Sequence, residues 1–347
     1  AAVTFSSPPP PPPPPPPSEA TVHTMCTSNG SPYLNFQTRI MYGTYQAMQK
    51  MPGGHVFTGF TRVLHRSKDD ILSANIPTFR AQPLHPRCDE WCEFPVADRP
   101  NAVAQWLRWM RADPANAIKE DWVLMIETDY VFVRPVPPPK VGEDSVGFPF
   151  YYIAPLAPHL EGVMRKMYPA EKGPLSDIPA SGPAPVMVRI EQLEVLVPEW
   201  ERLTQHIEGD PESVEKLGWV REMYAFSVAA ALTRVKIRIP NPPYNPLIVQ
   251  PPADHKVGSA MMYHYTWGAQ YKRGGKVVWE WDKRKYTARE HATRPPMLDL
   301  PPTDSELHGV TLQDGVAVDT DLNHIMTDML TRMNEAIAKM HPLPDFP

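Results

Sequence analysis

The sequence predicts an α/β layered domain with a mostly parallel central sheet, preceded by a polyproline II stem. Three observations carry this. Strand-like apolar runs alternate with segments of helical periodicity, the pattern of a layered α/β fold. Trp122-Val123-Leu124-Met125-Ile126 is apolar at every position, as in a strand buried on both faces of a sheet. Pro8 to Pro17 is an unbroken proline run, which has no internal hydrogen bonds and no means of making a core.

The elements follow in order. Residues 1–20 form the stem, whose proline run extends about 31 Å at roughly 3.1 Å per residue. Thr21 to Cys26 reads as a first strand and Thr27 to Pro32 as the loop after it. Gln37 to Lys50 carries Ile40, Met41, Tyr45 and Met48 at helical spacing, and Pro52-Gly53-Gly54 stops it. Val56 to Leu64 is a strand. Asn101 to Arg111 is a helix with Val103, Trp106, Leu107 and Met110 on one face, and Trp122 to Ile126 is the buried strand. Helices follow over Glu191–Ile207 and Trp219–Leu232, and Met261 to Gly268 is an aromatic, β-like segment. In the last element Leu322, Ile325, Met326, Met329, Leu330 and Met333 repeat every three or four residues, so Asp319 or Thr320 caps an amphipathic helix. The expected organisation is a stem over 1–20, a main domain over 21–290, and an extension over 291–347 whose helix packs on that domain.

Composition narrows the function. Prolines number 45 in 347 residues, well above the usual value of about 5%. With 42% hydrophobic residues the chain still builds a core, so wholesale disorder is excluded. A formal charge of −5 provides no basic field for nucleic acid. No stretch approaches the roughly 18 apolar residues of a transmembrane helix. The Ala1-Ala2-Val3 start fits a mature end left after signal removal, or a trimmed chain. Cys88 and Cys92 leave three states open: a zinc half-site, a local disulfide, or two free thiols.

Chemistry concentrates at Glu127-Thr128-Asp129, directly after the buried strand. Ligands of open α/β sheets bind at the carboxyl ends of the strands, and two acids there can hold Mg²⁺ or Mn²⁺ against a diphosphate. A solvated loop is the plain alternative. On residues alone, Glu222 reads as an acid favoured by a helix N-terminus, and His264 as a packed core histidine. Lys272, Arg273, Lys283 and Arg284 read as solvated cations or as phosphate-binding ones.

Six blocks together carry a family resemblance. They are Gly59-Phe60-Thr61-Arg62-Val63-Leu64-His65, Ile76-Pro77-Thr78-Phe79, Gly218-Trp219-Val220-Arg221-Glu222-Met223-Tyr224-Ala225, Gln250-Pro251-Pro252, His264-Tyr265-Thr266-Trp267-Gly268 and Trp279-Glu280-Trp281-Asp282-Lys283-Arg284. In this order they resemble the hydroxyproline O-arabinosyltransferases of plants and green algae, from about residue 33 to the C-terminal helix. The resemblance implies a glycosyltransferase A-type fold that uses an acid-x-acid motif and a metal. It implies UDP-β-L-arabinofuranose as donor, peptidyl hydroxyproline as acceptor, retention of configuration, and the Golgi lumen of the secretory pathway. The family triplet reads Glu-Pro-Asp, and here it is Glu127-Thr128-Asp129. Thr27–Pro32 and the Cys88/Cys92 segment depart from the family pattern.

Roles follow from that resemblance. Asp129 and His264 are expected on the metal, with Glu127 a further ligand or a partner of the ribose and metal-bound water. A histidine among carboxylates favours Mn²⁺ over Mg²⁺. Arg62, Lys272 or Lys283 would stabilise the leaving diphosphate. Glu222 would stabilise a cationic sugar or act as nucleophile. Tyr151, Tyr152, Tyr265 and Trp267, with Tyr263, are candidates to receive a polyproline or hydroxyproline-rich acceptor. A competing expectation is an extracellular structural glycoprotein that forms filaments by docking its Pro8–Pro17 arm into a neighbouring copy. A peptidyl-serine galactosyltransferase relative is a further enzyme alternative.

Overall fold

A computed structural model describes residues 19–90, 92–140, 142–266 and 268–344. In chain order the strands are β1 Val22–Ser28, β2 Phe57–His65, β3 Thr78–Ala81, β4 Trp122–Ile126, β5 Tyr130–Phe132, β6 Ser145–Gly147, β7 Val186–Arg189, β8 Ile237–Arg238, β9 Ile248–Val249, β10 Met262–His264, β11 Ala269–Arg273, β12 Lys276–Trp281 and β13 Val310–Thr311. The α-helices are α1 Pro32–Gln49, α2 Arg99–Ala112, α3 Glu161–Met167, α4 Ile190–Glu208, α5 Pro211–Leu217, α6 Arg221–Leu232, α7 Arg289–Thr293 and α8 Thr320–Ile337.

The central sheet has the order β3-β2-β1-β4-β7-β6-β8. β1 lies between β2 and β4 and pairs in parallel with both, while β7 runs antiparallel to β4 and β6. The expected mostly parallel α/β sheet is therefore present. β1 and β4 are buried at every residue, which accounts for their unbroken lack of surface-type alternation. Helix α4 packs against both α2 and α6, while α1 packs with α7, α8 and β5.

Two local boundaries differ from the sequence expectation. β1 continues through Thr27 and Ser28, which pair with Val63 and Leu64. α1 begins at Pro32: the Ser31 hydroxyl accepts from the Leu34 N–H at 3.3 Å, and proline fills the first helical position, where no N–H is needed. At the other end, the Asp319 side chain accepts from the Leu322 N–H at 2.7 Å and caps α8. The apolar stripe of α8 joins Phe36 and Ile40 of α1 and the aromatics of β10–β12 in a second core. Gly274 and Gly275, both at positive φ, make the tight turn between β11 and β12, a hairpin the sequence reading passed over.

The short β5 and β10 place the site. They pair antiparallel, with His264 opposite Tyr130 and Tyr263 opposite Val131, and β9 lies parallel on the other side of β10. This brings the end of β4, the start of β5, and the segment after β9 to one point.

Several sequence expectations change here. Cys88 and Cys92 form a disulfide, so neither a zinc half-site nor a free thiol pair stands; Cys26 is a buried free thiol. The Pro8–Pro17 arm and Trp267 lie outside the described residues. Tyr265 is 0% exposed and packs edge-on against Trp281 at 5.1 Å in the second core, so it does not face an acceptor. Tyr263 is likewise buried, with its hydroxyl on Asp328. Lys272 sits in the β11 hairpin opposite Val277 and Thr311, and its side chain does not line the site cavity. Arg62 is 0% exposed and grips Asp70 with both guanidinium nitrogens, at 2.8 and 2.6 Å, while also reaching Asn35 and Thr78. It ties β2 to α1 and the 69–73 loop and offers nothing to a ligand.

Breaking a buried ion pair leaves an uncompensated charge. Arg62→Ala is therefore expected to lower stability by about 3–5 kcal/mol in urea unfolding. A loss below about 1 kcal/mol, the range of an exposed pair, would contradict this assignment.

Candidate active site

The chain leaves β4 at Ile126 and enters β5 at Tyr130, and the three residues between them divide by alternation. Thr128 is buried and donates its hydroxyl to Gln37 Oε1 of α1 at 3.1 Å. Glu127 and Asp129 therefore turn the other way, into a cavity of about 530 Å³ that also takes in Arg99, Glu222, His264 and Lys283. Glu127 and Asp129 line one wall, and Glu222, from the first turn of α6, reaches in from another element.

The β5–β10 pairing sets His264 Nε2 3.4 Å from Asp129 Oδ2, with the imidazole edge-on to Tyr130. On the other side of the ring, Nδ1 lies 3.1 Å from Gln250 Oε1, which also accepts from the Thr266 hydroxyl at 3.0 Å. An amide oxygen only accepts, so Nδ1 donates to it, and Nε2 is the nitrogen turned toward the acids. Second-sphere partners of this kind orient metal-binding histidines.

Two cations balance the acids. Lys283 Nζ lies 2.5 Å from Asp129 Oδ2. Arg99 spans two carboxylates, with Nη2 2.5 Å from Glu127 Oε1 and Nη1 3.3 Å from Glu222 Oε2. Burial works against ionisation of Asp129, but Lys283 and His264 outweigh it and hold the carboxyl well below the usual range. For Glu222 burial wins: its pKa is pushed up to about 7, against Arg99 and with help from Glu127. Asp129 Oδ1 and Glu222 Oε1 are buried with no hydrogen-bond partner among the described residues. Glu127, Asp129 and His264 each offer one ligand atom, all within 4.8 Å of one another. Two carboxylates and an imidazole, one carboxylate oxygen still unpartnered, fit a divalent cation such as Mn²⁺ or Mg²⁺.

The rim is aromatic. Tyr151 is 85% and Trp219 64% exposed, and both border the cavity. Phe94 braces Trp219 edge-on at 5.3 Å. Tyr152 lies beneath Tyr151, their ring centroids 5.1 Å apart. Tyr33, at the start of α1, lines the cavity on the Lys283 side.

Of the residues expected from sequence, Glu127, Asp129, Glu222, His264, Lys283, Tyr151 and Tyr152 are gathered here, while Arg62, Lys272 and Tyr265 are elsewhere. Arg99 and Trp219 were not singled out as site residues, and Gln250 was noted only within a family block. Arg99 did leave a signal: a cation in the first turn of a helix opposes the helix dipole and needs compensation, here two carboxylates.

A sequence model of the hydroxyproline O-arabinosyltransferase family N-terminal domain matches residues 22–239. The chain belongs to that family of glycosyltransferases. It is 38% identical over 301 residues to hydroxyproline O-arabinosyltransferase 3 of Arabidopsis thaliana, covering 85% of this chain and 79% of that one. Over 291 residues it is 36% identical to hydroxyproline O-arabinosyltransferase NOD3 of Pisum sativum, covering 82% of each. Among solved structures, the galactosyltransferase LgtC with donor and acceptor sugar analogues aligns at TM-score 0.40 and 10% identity, over 76% of this chain and 94% of that one.

The raised Glu222 pKa has a stability consequence. The folded protein holds this proton better than the unfolded chain, whose glutamates titrate near 4.5, so the contribution is full below about pH 4.5 and lost as pH rises through about 7. Glu222→Gln stays neutral throughout. Its thermal midpoint is expected to fall less than that of the parent between pH 5 and about 7.5. Parallel profiles would contradict a buried, proton-holding Glu222.

Proposed function

We propose that the protein transfers L-arabinofuranose from UDP-β-L-arabinofuranose to the hydroxyl of peptidyl hydroxyproline, with retention and with a divalent metal, Mn²⁺ in preference to Mg²⁺. The observation that carries this reading is the meeting of Glu127, Asp129 and His264 at the end of a buried parallel strand, in a cavity shared with Glu222 and Lys283. Membership of the family supports the sugar and the acceptor. The fold is read as glycosyltransferase A-type.

In this reading Asp129, His264 and Glu127 would hold the metal, which when bound supplies Lewis-acid stabilisation of the diphosphate. Gln250 accepts from Nδ1 of His264 and fixes the ring orientation, so Nε2 is the nitrogen that would bind the metal. Lys283 supplies an ammonium to the oxygens that gain charge as the bond from the sugar's anomeric carbon to the UDP oxygen breaks. The bond to the hydroxyproline oxygen forms on the same face of the sugar, and the hydroxyl proton leaves with the departing diphosphate. Glu222 in its ionised form stabilises the cationic sugar or attacks it, while Arg99 fixes its orientation. Tyr151 and Trp219 receive the acceptor, because extended proline-rich peptides dock on exposed aromatic rings. The Cys88–Cys92 disulfide agrees with an oxidising compartment, and the secretory pathway, specifically the Golgi lumen, is the location proposed. No finding favours self-assembly through the arm over transfer.

The test is sugar transfer to a hydroxyproline peptide, read by mass spectrometry. A chelator is expected to stop it and Mn²⁺ to restore it. Asp129→Asn and His264→Ala are each expected to lower the rate roughly 10²-fold or more. Wild-type rates in both variants, or transfer indifferent to chelation, would overturn the metal-dependent reading.

A further inference from the structure

Three consecutive cations follow β12, and they find different partners. Arg284 turns back to Asp282 and Lys285 to Glu280, both at the surface. Arg284 also borders the cavity, but its charge is matched by Asp282, whereas Lys283 turns inward onto an acid of the site. The Lys283 side chain is 13% exposed, and its ammonium lies 2.5 Å from Asp129 Oδ2 and 5.8 Å from the centre of the Tyr265 ring. That oxygen is also the atom of Asp129 nearest His264 Nε2. Lys283 therefore sits against the carboxylate that, on the function proposed above, binds the metal.

Charge counting gives this contact a consequence. Glu127, Asp129 and Glu222 face two fixed cations, Arg99 and Lys283. The cavity is thus near neutral or singly negative, whichever form Glu222 takes. A divalent cation alone makes it positive. The diphosphate of a nucleotide-sugar, with about two negative charges, returns it toward balance. Repulsion between close charges is large in a buried site, so the cost of an uncompensated cation is felt directly.

We propose that Lys283 is the resident counter-ion of Asp129 in the nucleotide-free protein, opposing metal binding until a nucleoside diphosphate arrives to take up its ammonium. Metal and nucleotide then bind cooperatively, with Lys283 as the side chain that couples them. This inference rests on the proposed metal site and adds the coupling. Lys283 acts here as a positioning and gating charge, separate from any effect on the chemical step.

The test is Mn²⁺ binding, followed by the paramagnetic resonance signal of the free ion, with and without UDP. For the parent, UDP is expected to tighten Mn²⁺ binding at least about ten-fold. Lys283→Met is expected to bind Mn²⁺ alone about ten-fold more tightly than the parent, and to lose most of the UDP effect. Lys283→Arg, which keeps the charge, is expected to restore coupling, and the near-ultraviolet circular dichroism of each variant checks its fold. Equal or weaker Mn²⁺ binding by a folded Lys283→Met overturns the proposal. So does a parent protein whose Mn²⁺ affinity is indifferent to UDP, a measurement that needs no variant. Asp129→Asn separates the two readings. If it abolishes Mn²⁺ binding while Lys283→Met changes nothing, only the coupling fails. If it binds Mn²⁺ like the parent, the metal site itself fails.

Discussion

The antiparallel pairing of β5 with β10 is the constraint on which the site depends. It is three residues long, and it sets His264 opposite Tyr130, the residue after Asp129. Because side chains alternate along a strand, this register determines which residues of each strand face the acids. A slip of one residue would replace His264 by Tyr263 or Tyr265, and both of those now pack elsewhere. The parallel β9 completes the arrangement, since its end delivers Gln250 to the far side of the imidazole. A cluster of functional groups from distant parts of the chain is thus held by backbone hydrogen bonds at the edge of the main core.

Charge is the second constraint. Three carboxylates, two of them almost fully buried, meet at the end of β4, and the protein supplies two cations from two different elements to keep them there. Each cation is placed at a local disadvantage: Arg99 in the first turn of a helix, and Lys283 with its flexible chain drawn into a cavity. Such arrangements persist when the surrounding structure compensates them, and they concentrate where a ligand of matching charge is to be received. The aromatic rim beside this charged floor gives the cavity two chemically distinct ends, one charged and one aromatic.

Much of this was legible in the sequence. The all-apolar Trp122–Ile126 run located a central strand, and with it the place where acids would matter. The three-and-four spacing of Leu322 to Met333 located α8. What was not legible is tertiary. Arg62 is a basic residue in a motif near a strand end, and nothing local reveals that Asp70 folds back to bury it. Lys272 and Lys283 differ only through the β11–β12 hairpin, whose Gly274-Gly275 turn could have been read. Tyr265 could also have been excluded, because strand alternation forbids it from facing the same way as His264. Ser31-Pro32 carried a helix-start signal that places the start of α1 five residues before Gln37. Arg99 and Gln250 owe their importance to what they touch, and only the assembled fold supplies that.

The central claim is that one cation, held by Glu127, Asp129 and His264, organises the donor diphosphate in this cavity. Anomalous scattering from a crystal grown with Mn²⁺ and UDP tests it most directly. The account requires a single peak among those three side chains, with the Lys283 ammonium moved from Asp129 to the diphosphate. A peak elsewhere, or none with UDP bound, would contradict it.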